Sequence, residues 1–229
     1  MKTHVENSIK RRIERAVKRM FASLGYTIMP SSDLNNERVV EYPWILRKLG
    51  TRQGHILDVG CSGSDLSSKL ASQGLEVYGV DIYKKNLKAW GHPNFHFVLC
   101  DTRWLPFVDS AFEVVTAVST LEHIGIGFYG DIEDSEGDIR SVNELIRVTR
   151  VNGNSLVTVP FGEWKITSMQ RTYDDKTLKR LFGKFNVNIN VDYFVKRNNV
   201  WHKSESVNVP VSSAGVNAVA CLSLTKIET

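Results

Sequence analysis

The sequence predicts an α/β protein: a mostly parallel sheet with helices on both faces and an antiparallel finish. Three observations carry this. Residues 56–66 read as a buried strand, a small-residue turn and a helix start; strand and helix patterns then alternate to about residue 183; and two strand-like runs close the chain with no helix between them.

Ile56 and Leu57 lead into Asp58, the turn follows as Gly60-Cys61-Ser62-Gly63-Ser64, and Leu66 and Leu70 recur at helical spacing before Gly74 stops the helix. Strands are expected at 55–60, 76–81, 95–100, 113–119 and 155–160. Helices are expected at 36–49, with Pro43 bending or restarting the first, and at 64–73, 83–90, 137–150 and 174–183. Strands separated by helices run parallel and place the helices on both faces. Residues 187–197 and 216–226 follow one another as strands, so they pair antiparallel.

At 229 residues, 42% hydrophobic and 24% charged, the chain suits one soluble α/β domain, residues 36–229, preceded by an extension over residues 1–35. Within the extension, Ile9, Ile13, Val17, Met20, Phe21 and Leu24 share a helical face, and Lys10, Arg11, Arg12, Arg15, Lys18 and Arg19 crowd the rest. That pattern suits a docked helix with a solvated basic face, or a surface for an anionic partner, lipid or RNA. A net charge of +4 permits a polyanionic partner without arguing for one. Cys61, Cys100 and Cys221 have no metal-ligand spacing and read as reduced thiols. No run approaches the roughly twenty apolar residues of a membrane span, and no apolar signal core opens the chain. A cytoplasmic location is expected.

The turn after Asp58 lets a nucleotide-like ligand approach the backbone closely. Tyr78-Gly79-Val80-Asp81 ends the second strand in a carboxylate that can accept from both hydroxyls of a ribose. A dinucleotide fingerprint would have glycines where Ser62 and Asp65 stand, and Asp65 would repel a pyrophosphate. A ligand with adenosine and no phosphates fits better.

Four segments, Ile56–Leu66, Val77–Asp81, Val98–Phe107 and Phe112–Gly125, resemble those of class I S-adenosylmethionine-dependent methyltransferases, and within them the type 11 group. The resemblance runs from about Glu37 to the C-terminus. It implies a Rossmann-like, doubly wound, seven-stranded and mostly parallel sheet with an antiparallel last strand, in three α/β/α layers. It also implies S-adenosylmethionine as cofactor, with contacts from Asp58, Gly60, Cys61 and Ser62 in the first loop, Asp81 and Ile82 after the second strand, Asp101 and Thr102 after the third, and Ser119 after the fourth. Asp58 and Gly60 would cup the methionine moiety, Asp81 would hold the ribose, and Asp101 would accept from the adenine amine. The sequence departs from the family's three alternating glycines by placing Ser62 and Ser64 at the second and third positions.

In open α/β sheets ligands lie beyond the carboxyl ends of the strands, so the loop after the fourth strand covers the reacting centre. Residues 119–131 hold three glycines, two aromatics, a histidine and two carboxylates, which is rich for a connector. His123 is the leading candidate base by its ordinary pKa, with Asp131 and Tyr129 next. Gly125, Gly127 and Gly130, with Phe128 and Tyr129, suggest a lid over residues 124–138. Phe161 and Trp164 are expected on the opposite wall of the pocket or in the core, and Arg171 and Tyr173, just before the next helix, are offered with them to hold a carbohydrate ring or an anionic group. Some related O-methyltransferases bind magnesium through Glu-x-x-Glu-His. Here Ser119 replaces the first Glu, so no metal is expected. The acceptor implied is a small molecule or glycan precursor methylated on oxygen or nitrogen. The competing classes are an RNA methyltransferase footed on the basic helix and a catalytically silent cofactor-binding protein.

Overall fold

The computed structural model describes residues 36–205 and 216–228. The basic helix expected over residues 9–24, with its lipid or RNA partner, lies outside the described residues.

Helix α1 (Arg38–Leu49) contains Pro43 without restarting. Then come β1 (His55–Val59), α2 (Leu66–Ser72), β2 (Glu76–Asp81), β3 (Phe95–Leu99), β4 (Phe112–Val118) and a short 3-10 turn (Leu121–His123). After these follow α3 (Gly137–Val148), β5 (Thr149–Pro160), the two-residue strands β6 (Lys165–Ile166) and β7 (Arg171–Thr172), and α4 (Asp175–Phe182). The chain ends in β8 (Val187–Arg197), β9 (Val200–Ser204) and β10 (Ala218–Lys226).

The main sheet has the order β3-β2-β1-β4-β5-β10-β8-β9. The five strands from β3 to β5 run parallel. β10 slots in antiparallel beside β5 and pairs antiparallel with β8 from Ala218↔Val195 to Lys226↔Val187. To the seven expected strands the fold adds β9, which hairpins back along β8 and forms the edge. Its turn is Asn198-Asn199, both at positive φ, the conformation that matches a two-residue hairpin to strand twist.

Because side chains alternate along a strand, each central strand feeds two cores. Ile56, Val77, Val114 and Leu156 pack under α1 and α2 with Trp44, Ile45, Leu66 and Leu70. Leu57, Val80, Val115 and Val157 pack under α3 and α4 with Val142, Leu145, Leu178 and Phe182. Near-continuous apolar runs are what a sheet covered on both faces requires, and they give the three layers. The loops at the carboxyl ends of β1, β2, β3 and β4 converge at the point where strand order reverses, between β1 and β4.

Two expectations fail locally. Residues 83–90 form turns instead of a helix, because Asn86 takes a positive φ and its carbonyl accepts from Gly63 N at 3.2 Å. The tertiary bond outweighs the helical propensity of that lysine-rich segment. Residues 149–154, expected to end a helix or lie in a loop, extend β5 instead, with Thr149 bonding through its hydroxyl to the Ser155 hydroxyl at 2.8 Å.

Candidate active site

The turn after β1 is built around Gly60. Its φ is +76°, its N–H donates to Val80 O at 2.9 Å, and a Cβ there would lie 2.3 Å from Thr120 Oγ1. Thr120 is itself fixed by bonds to Val59 O and Val118 O, so only glycine leaves room. The serines that replace the family's glycines do structural work. Ser62 N donates to Asp81 Oδ2 at 3.0 Å and Ser62 Oγ to Tyr83 O, tying this turn to the end of β2. Ser64 Oγ accepts from Leu66 N at 3.1 Å at the start of α2 and bonds Tyr42 OH of α1.

A cavity of about 660 Å³ opens at these strand ends. Ten of the twelve residues expected at the site line it: Gly60, Ser62, Asp81, Ile82, Asp101, Thr102 and Ser119, expected to meet the cofactor, and His123, Tyr129 and Asp131, expected to meet the acceptor. Asp58 and Cys61 do not. The Asp58 carboxylate, 2% exposed, turns inward to accept from Ser67 Oγ at 2.5 Å and Thr116 Oγ1 at 2.8 Å, and burial pushes its pKa up to about 6. It buttresses the loop from behind by linking α2 to β4. The Cys61 side chain is buried against Gly79, where it packs as a small apolar group, and burial pushes its thiol well up.

Asp81 accepts one backbone N–H on each oxygen, from Ser62 and from Tyr83 at 2.9 Å. An ionised carboxylate has about four acceptor positions, so two are left for a diol. Asp101 is gripped by Arg103, whose Nη2 lies 2.6 Å from Oδ2 and whose backbone N–H donates to Oδ1 at 2.9 Å. With Nε bifurcated over both oxygens, room remains for about one further donor.

At the other end, the 3-10 turn carries His123. Its Nδ1 lies 2.7 Å from the carbonyl of Met169, so Nδ1 holds the proton and Nε2 keeps its lone pair. Burial lowers its pKa, which keeps the ring neutral at pH 7. Tyr129 packs edge-on against it at 5.3 Å between centroids, and Phe128 edge-on against Tyr129 at 4.9 Å. Asp131 accepts from Gly125 N through Oδ2 and keeps Oδ1 unpartnered. Beneath, the buried Glu41 pairs with Arg38 and accepts from Ser119 and Thr158 at 2.8 and 2.7 Å. Glu122 is 1% exposed with Oε2 unpartnered, and burial pushes it up to about 8. Among the described residues no group of three or more His, Cys, Asp or Glu is placed to hold a metal ion.

The segment between His123 and α3 is closed upon itself. Asp134 N donates to Gly125 O at 2.9 Å, and a Cβ on Gly125 would lie 2.2 Å from Asp134 O. The glycines here thus serve tight turns. Arg171, offered to hold a carbohydrate ring or an anionic group, is instead buried; its Nη1 donates to Ile124 O at 2.6 Å, and its Nε lies 3.6 Å from Asp138. Tyr173 donates to Asp138 at 3.0 Å, and Phe161 joins the core. Arg38, Tyr83, Lys85 and Asn86 line the cavity without having been singled out. A basic residue at the head of a helix and turn residues inside an apparently helical run gave no chemical motif to follow.

Comparison with known proteins gives a consistent answer. A family model described as "Methyltransferase domain" matches residues 57–157. The ubiquinone biosynthesis O-methyltransferase of Bordetella avium (strain 197N) is 36% identical over 89 residues, which is 35% of this chain and 37% of that protein. The protein of the same name from Pseudomonas paraeruginosa (strain DSM 24068 / PA7) is 34% identical over 125 residues, 52% of this chain and 49% of the relative. The matches thus span about half or less of these relatives' length. Among solved structures, the 1,6-didemethyltoxoflavin-N1-methyltransferase of Burkholderia thailandensis, with bound 1,6-didemethyltoxoflavin and S-adenosylhomocysteine, shares the fold with a TM-score of 0.61 at 14% identity, over 97% of this chain and 90% of that one. Residues 57–157 thus match a methyltransferase domain, and the chain is similar in sequence to O-methyltransferases and in fold to S-adenosylmethionine-dependent methyltransferases, consistent with class I of that group.

Proposed function

We propose that the chain methylates a hydroxyl group of a small-molecule acceptor, with His123 as the base. The observation that carries this reading is the single cavity that joins a nucleoside-shaped set of groups, Gly60, Asp81 and Asp101, to a neutral histidine flanked by aromatic rings. The curated relatives bearing an O-methyltransferase name favour oxygen as the acceptor atom.

In this reading Asp81 takes the two ribose hydroxyls on its remaining acceptor positions, and Asp101 takes one donor from adenine. Ile82 and Thr102 flank them. Gly60, Ser62 and Ser119 bound the methionine end, and Arg38 offers its guanidinium to the carboxylate there. When bound, S-adenosylmethionine supplies a methyl group already activated on a sulfonium, so the protein's task is alignment, dryness and removal of one proton. Phe128 and Tyr129 hold the acceptor's apolar body and exclude water. Asp131, on the same wall, sets the polarity of the acceptor end. As the new O–CH3 bond forms and the S–CH3 bond breaks, the hydroxyl proton passes to His123 Nε2. Met169 O steadies the imidazolium through Nδ1–H. The unpaired thiols suit a reducing cytoplasm, the compartment we propose.

The test is incubation with methyl-labelled S-adenosylmethionine and fractionated cell extract. Label should enter a small-molecule fraction and be released as a methyl ether. Label confined to RNA, or to no fraction, would overturn the assignment.

A further inference from the structure

Arg103 joins the two halves of the cavity. It follows Asp101 by two residues, yet its side chain is only 1% exposed, an unusual fate for an arginine next to a ligand cavity. One edge of the guanidinium, Nε and Nη2, holds the Asp101 carboxylate, with Nη2 at 2.6 Å. The remaining nitrogen, Nη1, reaches across to the acceptor-side loop, donating to Ile132 O at 2.9 Å and approaching Asp134 Oδ2 at 3.4 Å. The Trp104 ring lies 4.9 Å from the guanidinium carbon. A planar fork can satisfy both partners at once, and a lysine ammonium cannot. The loop that Arg103 reaches carries Phe128, Tyr129 and Asp131 into the cavity, and its far side is held by Arg171 through Ile124 O.

We infer that Arg103 is a positioning residue that couples occupancy of the nucleoside end to ordering of the acceptor-side loop, so that cofactor binding prepares the acceptor site. The inference rests on the reading that Asp101 faces adenine. Asp101 is 25% exposed and lines the cavity, so a ligand seated there removes water from the Asp101–Arg103 pair. An ion pair moved from a wet to a dry setting strengthens, because the effective dielectric falls. The stiffened guanidinium then holds Ile132 and Asp134 more firmly. Linkage makes the effect reciprocal: an ordered loop raises cofactor affinity by the same factor.

Hydrogen exchange on the whole chain, free and saturated with S-adenosylhomocysteine, tests this, with calorimetry on the same samples reporting binding. In the unsubstituted protein, amides across residues 124–136 should exchange roughly tenfold more slowly with ligand, within the usual range for coupling between sites. In Arg103→Lys and Arg103→Gln, S-adenosylhomocysteine should still bind, and the ligand-dependent slowing should fall to about twofold or less on the same scale. A merely structural role would raise exchange equally in the free and bound states and leave that ratio intact. Ligand binding with no slowing in the unsubstituted protein overturns the coupling and leaves the proposed function standing. So does an undiminished ratio in either variant. No binding of S-adenosylhomocysteine to the unsubstituted protein overturns both.

Discussion

Replacing Glu122 by Gln should reverse a pH-dependent loss of stability. Glu122, in the middle of the 3-10 turn, is buried with Oε2 unpartnered, and burial pushes its carboxyl from the usual 4.5 up to about 8. A carboxyl whose folded pKa is raised contributes stability that is full below 4.5 and is lost as pH rises through about 8. Carried through linkage, that difference corresponds to at most about 5 kcal/mol lost by the folded state above that pH. Water entry and side-chain relaxation at a buried charge reduce such penalties, so about half is the expected effect. For a domain of this size, each kcal/mol moves Tm by about 2–4 °C. Gln has the same shape and does not titrate, so the Tm of Glu122→Gln minus that of the unsubstituted protein should climb by about 5–10 °C between pH 5 and pH 9. Asp58, also raised by burial, is present in both proteins and cancels. Thermal melts followed by circular dichroism at fixed ionic strength give the difference at each pH. Two parallel Tm curves would refute the reasoning and show that the carboxylate is stabilised where it sits.

Other perturbations test the remaining parts. Because burial lowers the pKa of His123, its ring is neutral through pH 7, and kcat should stay level above pH 7 and fall on a one-proton limb below the ordinary 6.5. A kcat that is level down to pH 5 would remove the base role. His123→Asn should lower kcat by about 10²–10⁴-fold with cofactor affinity held. Gly125→Ala should destabilise the fold by about 1–3 kcal/mol, since its Cβ would meet Asp134 O at a left-handed φ; urea denaturation would show no change if the loop can move aside.

Much of the fold was legible because a sheet covered on both sides writes itself as apolar runs separated by amphipathic ones. Ile56-Leu57 and Val114-Val115 each send one residue to each core, which is why the parallel strands could be placed from sequence. Edge elements carry no such imprint. β9 is exposed apart from the half-buried Trp201 and Ser204, and only the Asn198-Asn199 turn marks it. The failed helix over 83–90 shows the complementary limit: its conformation is set by Gly63, twenty-three residues before Asn86, through a bond that no local pattern encodes. At the site, the resemblance of four segments, together with position after a strand, pointed to ten residues that line one cavity. Side-chain direction was not readable. Asp58 and Cys61 belong to the right loop, yet point to the buried side, where Ser67, Thr116 and Gly79 receive them. Arg103 reaches Ile132 and Asp134 and Glu41 accepts from Ser119 and Thr158, all far away in the chain, and only the fold brings Arg38 to the cavity.

The most direct test of the central claim is calorimetric titration of S-adenosylhomocysteine into the chain and into Asp81→Ala. Asp81 accepts from two loop N–H groups and has two acceptor positions left, which the proposed function gives to the ribose; its loss would then remove hydrogen bonds to a charged group. The account predicts one ligand bound per chain, weakened by about 1.5–3 kcal/mol in the variant. Absence of binding to the unsubstituted chain, or equal affinity in Asp81→Ala, would contradict it.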